Sequence, residues 1–158
     1  MYVVVLMIAT DTSLNTPIFI VDEERIRENC DVLASVRKRT GCNVLLALKG
    51  FAMWPLFPMI REYLDGTCAS SPWEARLGRE EFGGEVHAYA AAYSEADFAE
   101  LLTLCDEIDF NSFAQLNQFR PKMNGSLKFG LRINPECSTQ PEDHAIYDPC
   151  APQSRLGI

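Results

Sequence analysis

Three serines punctuate this chain in the same way. Ser71, Ser94 and Ser112 each follow a short β-like run, and three residues beyond each stands Glu74, Asp97 or Gln115. This is the wording of a capping box: the serine oxygen accepts an N–H at the helix start while the third side chain reaches back. The runs before them are Thr67 to Ser70, Val86 to Ala90 and Ile108 to Asn111. Strand, short connection and capped helix, repeated, predict an α/β fold with a parallel sheet. Either an open doubly wound sheet or a TIM-type barrel satisfies that pattern, and periodicity does not choose between them.

The flanking segments extend the series. Pro17 to Val21 reads as a strand, after which Asp22 can cap a helix with Ile26, Cys30, Leu33 and Val36 on one face. Arg37, Lys38 and Arg39 fall at that helix's negative end, and Gly41 stops it. A second helix is expected from Pro55 to Leu64, with its prolines in the first turn, closed by Asp65-Gly66. A fifth strand, Leu127 to Ile133, places Gly130 and Arg132 on one face and Phe129, Leu131 and Ile133 on the other. The opening MYVVVLMIA is apolar but too short to span a membrane, and it lacks a cationic leader. Residues 1–15 are therefore read as an extension, and 16–158 as the folded portion.

Lys49 is the residue that carries chemistry. It ends the apolar run Val44 to Leu48, and alternation puts it on the face of Leu45 and Ala47. Partial desolvation there would lower the amine's pKa and make it a nucleophile towards an aldehyde. A lysine at a strand end is equally served by burying its stem and keeping its charge in water.

Composition narrows the classes. A chain of 158 residues with 47% hydrophobic content can bury a core, and a net charge of −8 without a basic patch argues against nucleic acid as partner. Six scattered cysteines form no CxxC pair and no zinc spacing, so no metal is expected and a reducing cytoplasm fits. There is no GxGxxG after a strand, no Walker lysine, no HExxH and no GxSxG elbow.

The runs LLALKGFAMW, DGTCASSPWEARLGREEFGGEVHAY, FNSF, LRINPE and YDPCAPQSRLGI resemble, in wording and order, the carboxynorspermidine decarboxylase family. That family belongs to the alanine-racemase-like, fold type III group of pyridoxal-phosphate (PLP) enzymes. The resemblance runs from about Thr16 to Ile158. It implies a (β/α)₈ barrel, of which about five of the eight strands are expected here. The rest of the barrel and a second, β-rich domain would lie outside this sequence, making it an amino-terminal part. It implies PLP held by Lys49 as a Schiff base, with Arg132 near the ring's phenolic oxygen. The implied reaction is decarboxylation of carboxynorspermidine or carboxyspermidine to norspermidine or spermidine, in polyamine biosynthesis. The implied partners are a small polyamine precursor and, for the full-length enzyme, a second copy in a homodimer. A non-catalytic barrel remnant and a diaminopimelate-type decarboxylase are the other readings; LKGFAMW and YDPCAP count against the latter.

The remaining candidates read more simply. Arg132 can instead pair with Glu136. Ser71 and Glu74 are explained by capping, His87 by packing in a strand, and His144 by exposure in a polar loop. Trp54 and Trp73 read as core or rim residues, and Arg79-Glu80-Glu81 as a solvated helix face. Tyr147, Asp148 and Cys150 lie in the family-like loop and can face substrate.

Overall fold

The computed structural model describes residues 17, 19–123, 125–138 and 148–158. Its elements are α1 (Glu23–Thr40), β1 (Leu45–Ala47), α2 (Phe57–Ile60), β2 (Gly66–Ala69), α3 (Pro72–Leu77), β3 (Glu85–Tyr89), α4 (Glu95–Leu104), β4 (Glu107–Phe110), α5 (Phe113–Phe119) and β5 (Lys128–Leu131). The strands form one all-parallel sheet in the order β1-β2-β3-β4-β5. A doubly wound sheet reverses direction at a switch point, whereas sequential order is the winding of a barrel wall.

The two faces of the sheet differ in kind. Leu46, Ala69, Val86, Ala88, Ile108 and Phe110 are buried on one face, against the helices. Phe98, Phe110 and Phe119 are fully buried there, and the rings of Phe98 and Phe119 stack at 4.2 Å. Burial of each such side chain contributes about 1.5–3 kcal/mol. Tyr93 joins this cluster with its hydroxyl satisfied, accepting from the Ala90 N–H (3.0 Å) and donating to the Asp109 carbonyl (2.9 Å). A second cluster around Phe57, Ile60 and Phe82 packs on the β1 end. The opposite face carries polar side chains from β2 to β5.

Capping follows the sequence with one refinement. Asp22 accepts from the Glu24 and Arg25 N–H groups, and Gly41 closes α1 at φ 71°. Ser71, Ser94 and Ser112 each accept the N–H three residues on. Only Ser94 and Asp97 complete the reciprocal box. Glu74 and Gln115 reach one residue further back, to the N–H groups of Ser70 (2.6 Å) and Asn111 (2.7 Å), and so fix the strand exits.

At the amino end of the sheet two aspartates repeat one device. Asp65 accepts from the Val44 N–H (2.9 Å) and pairs with Arg37 of α1 (2.5 Å). Asp106 accepts from the Val86 N–H (2.8 Å) and pairs with Arg79 (2.7 Å).

Several expectations are corrected. Among the described residues of 17–21 there is no strand, and Phe19 is 92% exposed, because no neighbouring edge pairs with the segment. The helix expected over 55–64 is a 3₁₀ turn at Trp54–Leu56 followed by the single turn of α2, since Pro55 and Pro58 cannot donate to a continuous ladder. On α1 only Cys30 is buried; Leu33 and Val36 lie at 38% and 37% exposure. Of the core or rim alternatives for Trp54 and Trp73, both take the exposed one, with Arg76 over the Trp73 ring. Arg79 is a tie, not a solvated side chain: besides Asp106 it donates to the carbonyls of Leu104 and Gly84. It sits in a π-helical segment, Gly78–Phe82, where a Cβ on Gly78 would fall 2.2 Å from Thr67 Oγ1.

Candidate active site

Parallel strands deliver functional groups to their carboxyl ends, where the connecting loops gather. The polar face is ordered in rows across the strands. One row runs Ala47, Cys68, His87, Glu107, Lys128, and the next contains Tyr89, Asp109 and Gly130. Asn111 and Arg132 follow at the exits of β4 and β5.

Lys49 stands just beyond β1, in the turn Leu48–Gly50. Leu48 still bonds across to β2, its N–H donating to the Cys68 carbonyl at 3.1 Å, and its side chain is buried on the helix side. Gly50 and Phe51 then both donate to the Ala47 carbonyl, which turns the chain away. The Lys49 side chain is exposed, so the described residues do not supply the desolvated setting expected for it. No carboxylate among the described residues pairs with it. Its charge is felt at Cys68: burial and then Asp109 push that thiol up, and Lys49 acts in the opposite direction. Lys49 and Cys68 thus belong to one electrostatic neighbourhood.

Arg132 leaves β5 on the same polar face, as the alternation of Leu127 to Ile133 predicts. Its backbone N–H continues the ladder to the Phe110 carbonyl (2.9 Å), and its guanidinium carbon lies 4.7 Å from the centroid of the Tyr89 ring. Among the described residues it pairs with no carboxylate, Glu136 included.

Between them stands Asp109, half-buried. Its carboxyl is raised above the usual range by burial and by the Glu107 charge, with His87 acting the other way. His87 Nε2 lies 3.0 Å from Glu85 Oε2. Gly130 opposite is what makes room for Asp109.

The Ser154–Ile158 segment closes the far side. Gly157 and Arg155 bond Asn111, through the Gly157 N–H (2.8 Å) and the Arg155 carbonyl (2.9 Å). Ile158 bonds the Arg132 carbonyl (3.1 Å) and accepts from the Asn134 N–H (2.7 Å), one rung of parallel pairing beside β5. Asp148 caps its own turn through the Cys150 N–H (2.9 Å). Tyr147 and His144 lie outside the described residues.

Tyr89, Asp109 and Asn111 belong to the same candidate cluster, and no motif in the sequence singles them out. The available signal was alternation: Glu85, His87 and Tyr89, then Glu107, Asp109 and Asn111, interleave with Val86, Ala88, Ile108 and Phe110. A parallel strand buried on both sides would not alternate in this way.

No family model matches the chain. It is 44% identical over 93% of its length to a carboxyaminopropylagmatine decarboxylase of Synechocystis sp.. Two carboxynorspermidine/carboxyspermidine decarboxylases, of Herminiimonas arsenicoxydans and Campylobacter jejuni, are 42% and 41% identical over 91% and 92% of it. The chain spans 37–39% of the length of these relatives. Among solved structures, carboxynorspermidine decarboxylase of Campylobacter jejuni complexed with norspermidine matches with a TM-score of 0.79 and 37% identity, over 92% of this chain and 36% of that one. No described helix is long and apolar enough to cross a membrane.

Proposed function

We propose that this chain is the lysine-bearing, amino-terminal portion of a PLP-dependent decarboxylase acting on a carboxylated polyamine of the carboxynorspermidine or carboxyspermidine type. The observation that carries the reading is that Lys49, just beyond β1, and Arg132, just beyond β5, stand at the same carboxyl end of a sequentially ordered parallel sheet, with the charge of Lys49 acting on the Cys68 thiol of its polar face. An amine and a guanidinium without carboxylate partners among the described residues fit an aldehyde cofactor that also bears anionic oxygens. The three relatives named above all decarboxylate amines of this general kind by their names, and a solved one holds norspermidine.

When bound, PLP supplies the electron sink for the pair left behind as carbon dioxide departs. Lys49 Nζ is the group that would hold the cofactor's aldehyde carbon, and its exposure leaves it open to exchange with an incoming substrate amine. Arg132 would orient an anionic oxygen of the cofactor through its N–H donors. Asp109, in the row of Tyr89 and Gly130, adds negative potential that reaches the Cys68 thiol. The net charge of −8 favours a cationic substrate over an anionic one. The cytoplasm is the proposed compartment, and a homodimer the proposed form of the full-length enzyme.

One observation favours a second reading, in which the 158-residue chain alone is a non-catalytic portion. β1 is the margin of the sheet, and Val32, Leu33 and Val36 of α1 beside it are exposed at 63%, 38% and 37%. Open edges and apolar stripes of this kind pair with further chain.

The test is incubation with PLP, borohydride reduction and peptide mapping by mass spectrometry. A single pyridoxyl adduct on Lys49, lost in Lys49→Ala, is the expected result. Labels shared among Lys38, Lys49, Lys122 and Lys128, or the same labelling after Lys49→Ala, would sink the assignment.

A further inference from the structure

We propose that Tyr89 is a positioning residue for Arg132: its ring seats the guanidinium, and its hydroxyl ties that seat through Asn111 to the Ser154–Ile158 segment. The proposal rests on the reading of Arg132 as the group that meets the cofactor. It adds a residue from a third strand and assigns it a role.

The geometry forms a closed circuit. The Arg132 guanidinium carbon lies 4.7 Å from the Tyr89 ring centroid. The Tyr89 hydroxyl donates to Asn111 Oδ1 at 2.7 Å. The same oxygen accepts the Gly157 N–H at 2.8 Å, while Asn111 Nδ2 donates to the Arg155 carbonyl at 2.9 Å. Ile158 then returns the circuit to Arg132, donating to its carbonyl at 3.1 Å. The amide of Asn111 has one workable orientation, because a flip would aim its NH₂ at the Gly157 N–H and its oxygen at the Arg155 carbonyl. The Tyr89 hydroxyl therefore has a fixed acceptor, and the ring has a fixed plane.

Two physical consequences follow. A free arginine at a strand end samples many rotamers, and freezing it costs side-chain entropy. Tyr89 restricts that sampling before any ligand arrives, which is preorganisation. The ring's attraction also acts on the face of the guanidinium, whereas hydrogen bonds form at its edge. Tyr89 thus holds the cation without competing for the N–H groups that an anionic oxygen needs. A carboxylate partner would hold Arg132 as firmly but would occupy those donors.

The experiment is a double-mutant cycle in the full chain, read by PLP titration from its absorbance and by the mass of the borohydride adduct on Lys49. Arg132→Ala is expected to weaken PLP binding at least tenfold or so, and Tyr89→Leu by about three- to tenfold. In the Arg132→Ala background Tyr89→Leu should add less than about 1.5-fold, because it acts through the arginine. Tyr89→Phe, which keeps the ring, should restore binding to within about twofold of the unmodified chain. A cofactor-free readout accompanies these. The Arg132 Nε–H resonance should carry a ring-current shift that persists in Tyr89→Phe and vanishes in Tyr89→Leu.

Equal losses from Tyr89→Leu in both backgrounds would overturn the positioning role and leave the Arg132 reading intact. Unchanged PLP binding in Arg132→Ala would instead overturn the Arg132 reading, and the role of Tyr89 with it. Should Tyr89→Leu fail to fold, the resonance and affinity of Tyr89→Phe decide. A lost shift, or a loss in that variant as large as the roughly three- to tenfold expected of Tyr89→Leu, would overturn the proposal.

Discussion

A Cβ on Gly130 would lie 1.8 Å from Asp109 Oδ1, so the missing side chain on β5 is the space that the β4 carboxylate occupies. The two residues are cross-strand partners in the parallel ladder of β4 and β5. Gly130→Ala is therefore expected to displace the carboxylate and destabilise the sheet by about 1–3 kcal/mol, the usual range for an overpacked site. The denaturation midpoint of the variant checks it, and Gly130→Ala combined with Asp109→Ala should recover most of the loss. A neutral Gly130→Ala would contradict the notch.

Asp109 also makes stability depend on pH. Burial and Glu107 raise its folded-state pKa, so between the unfolded and folded values the folded chain binds more protons. Stability then falls as pH rises through that window, starting near pH 4, where the unfolded carboxyl ionises. Asp109→Asn should stabilise the chain at neutral pH, with the gain fading as pH drops towards 4. Thermal melts of both forms at several pH values provide the measurement; a gain independent of pH would exclude the charge as its cause.

Asp106 has the opposite sign. Burial works against its charge, but the Val86 N–H and Arg79 outweigh it and hold the carboxyl below the usual range. Its contribution is present above the unfolded pKa near 3.9 and is lost as pH falls through the lower folded value. Arg79→Ala should thus bring acid unfolding to higher pH, and it also removes bonds to the Leu104 and Gly84 carbonyls. An acid midpoint unchanged in Arg79→Ala would show that the pair adds nothing.

The aromatic cluster fixes the scale of stability. Phe98 is fully buried between Phe119 at 4.2 Å and Phe110 at 5.8 Å. Phe98→Ala should cost about 3–5 kcal/mol, a large part of a small domain's total, and Phe98→Leu distinctly less. Urea titration separates the two; equal midpoints would mean that the ring contacts are dispensable.

Gly157 is the positive-φ residue of the Ser154–Ile158 segment. It adopts φ 88°, and a Cβ there would fall 2.8 Å from the Asn134 N atom. Gly157→Ala should release the segment from Asn111 and Arg132 and speed amide exchange at Gly157 and Ile158. Retained protection at both amides would count against it.

Much of this architecture was legible in the residues themselves, because local signals are short-range physics. The serine caps, the aspartate before α1, the glycine after it and the polar-apolar alternation of β5 depend on neighbours within a few positions. The failures were non-local or chain-breaking. The described residues of 17–21 are strand-like in composition but join no edge, and the prolines at 55 and 58 divide a helix that apolar spacing alone would have continued. Glu74 and Gln115 were read as box partners, yet the strand exits place different N–H groups within their reach.

The sequence by itself determined the βα rhythm, the lysine at the end of β1 and the arginine at the end of β5. Only the tertiary structure decided that the strands lie in sequential order, since handed crossovers and side-by-side packing act between elements and leave no periodic trace. That order brings Tyr89 of β3 beneath Arg132 at the exit of β5 and sets Asn111 between them and the Ser154–Ile158 segment. Residues forty positions and more apart become contacts through the register of parallel strands, a relation that neither residue's own neighbourhood encodes.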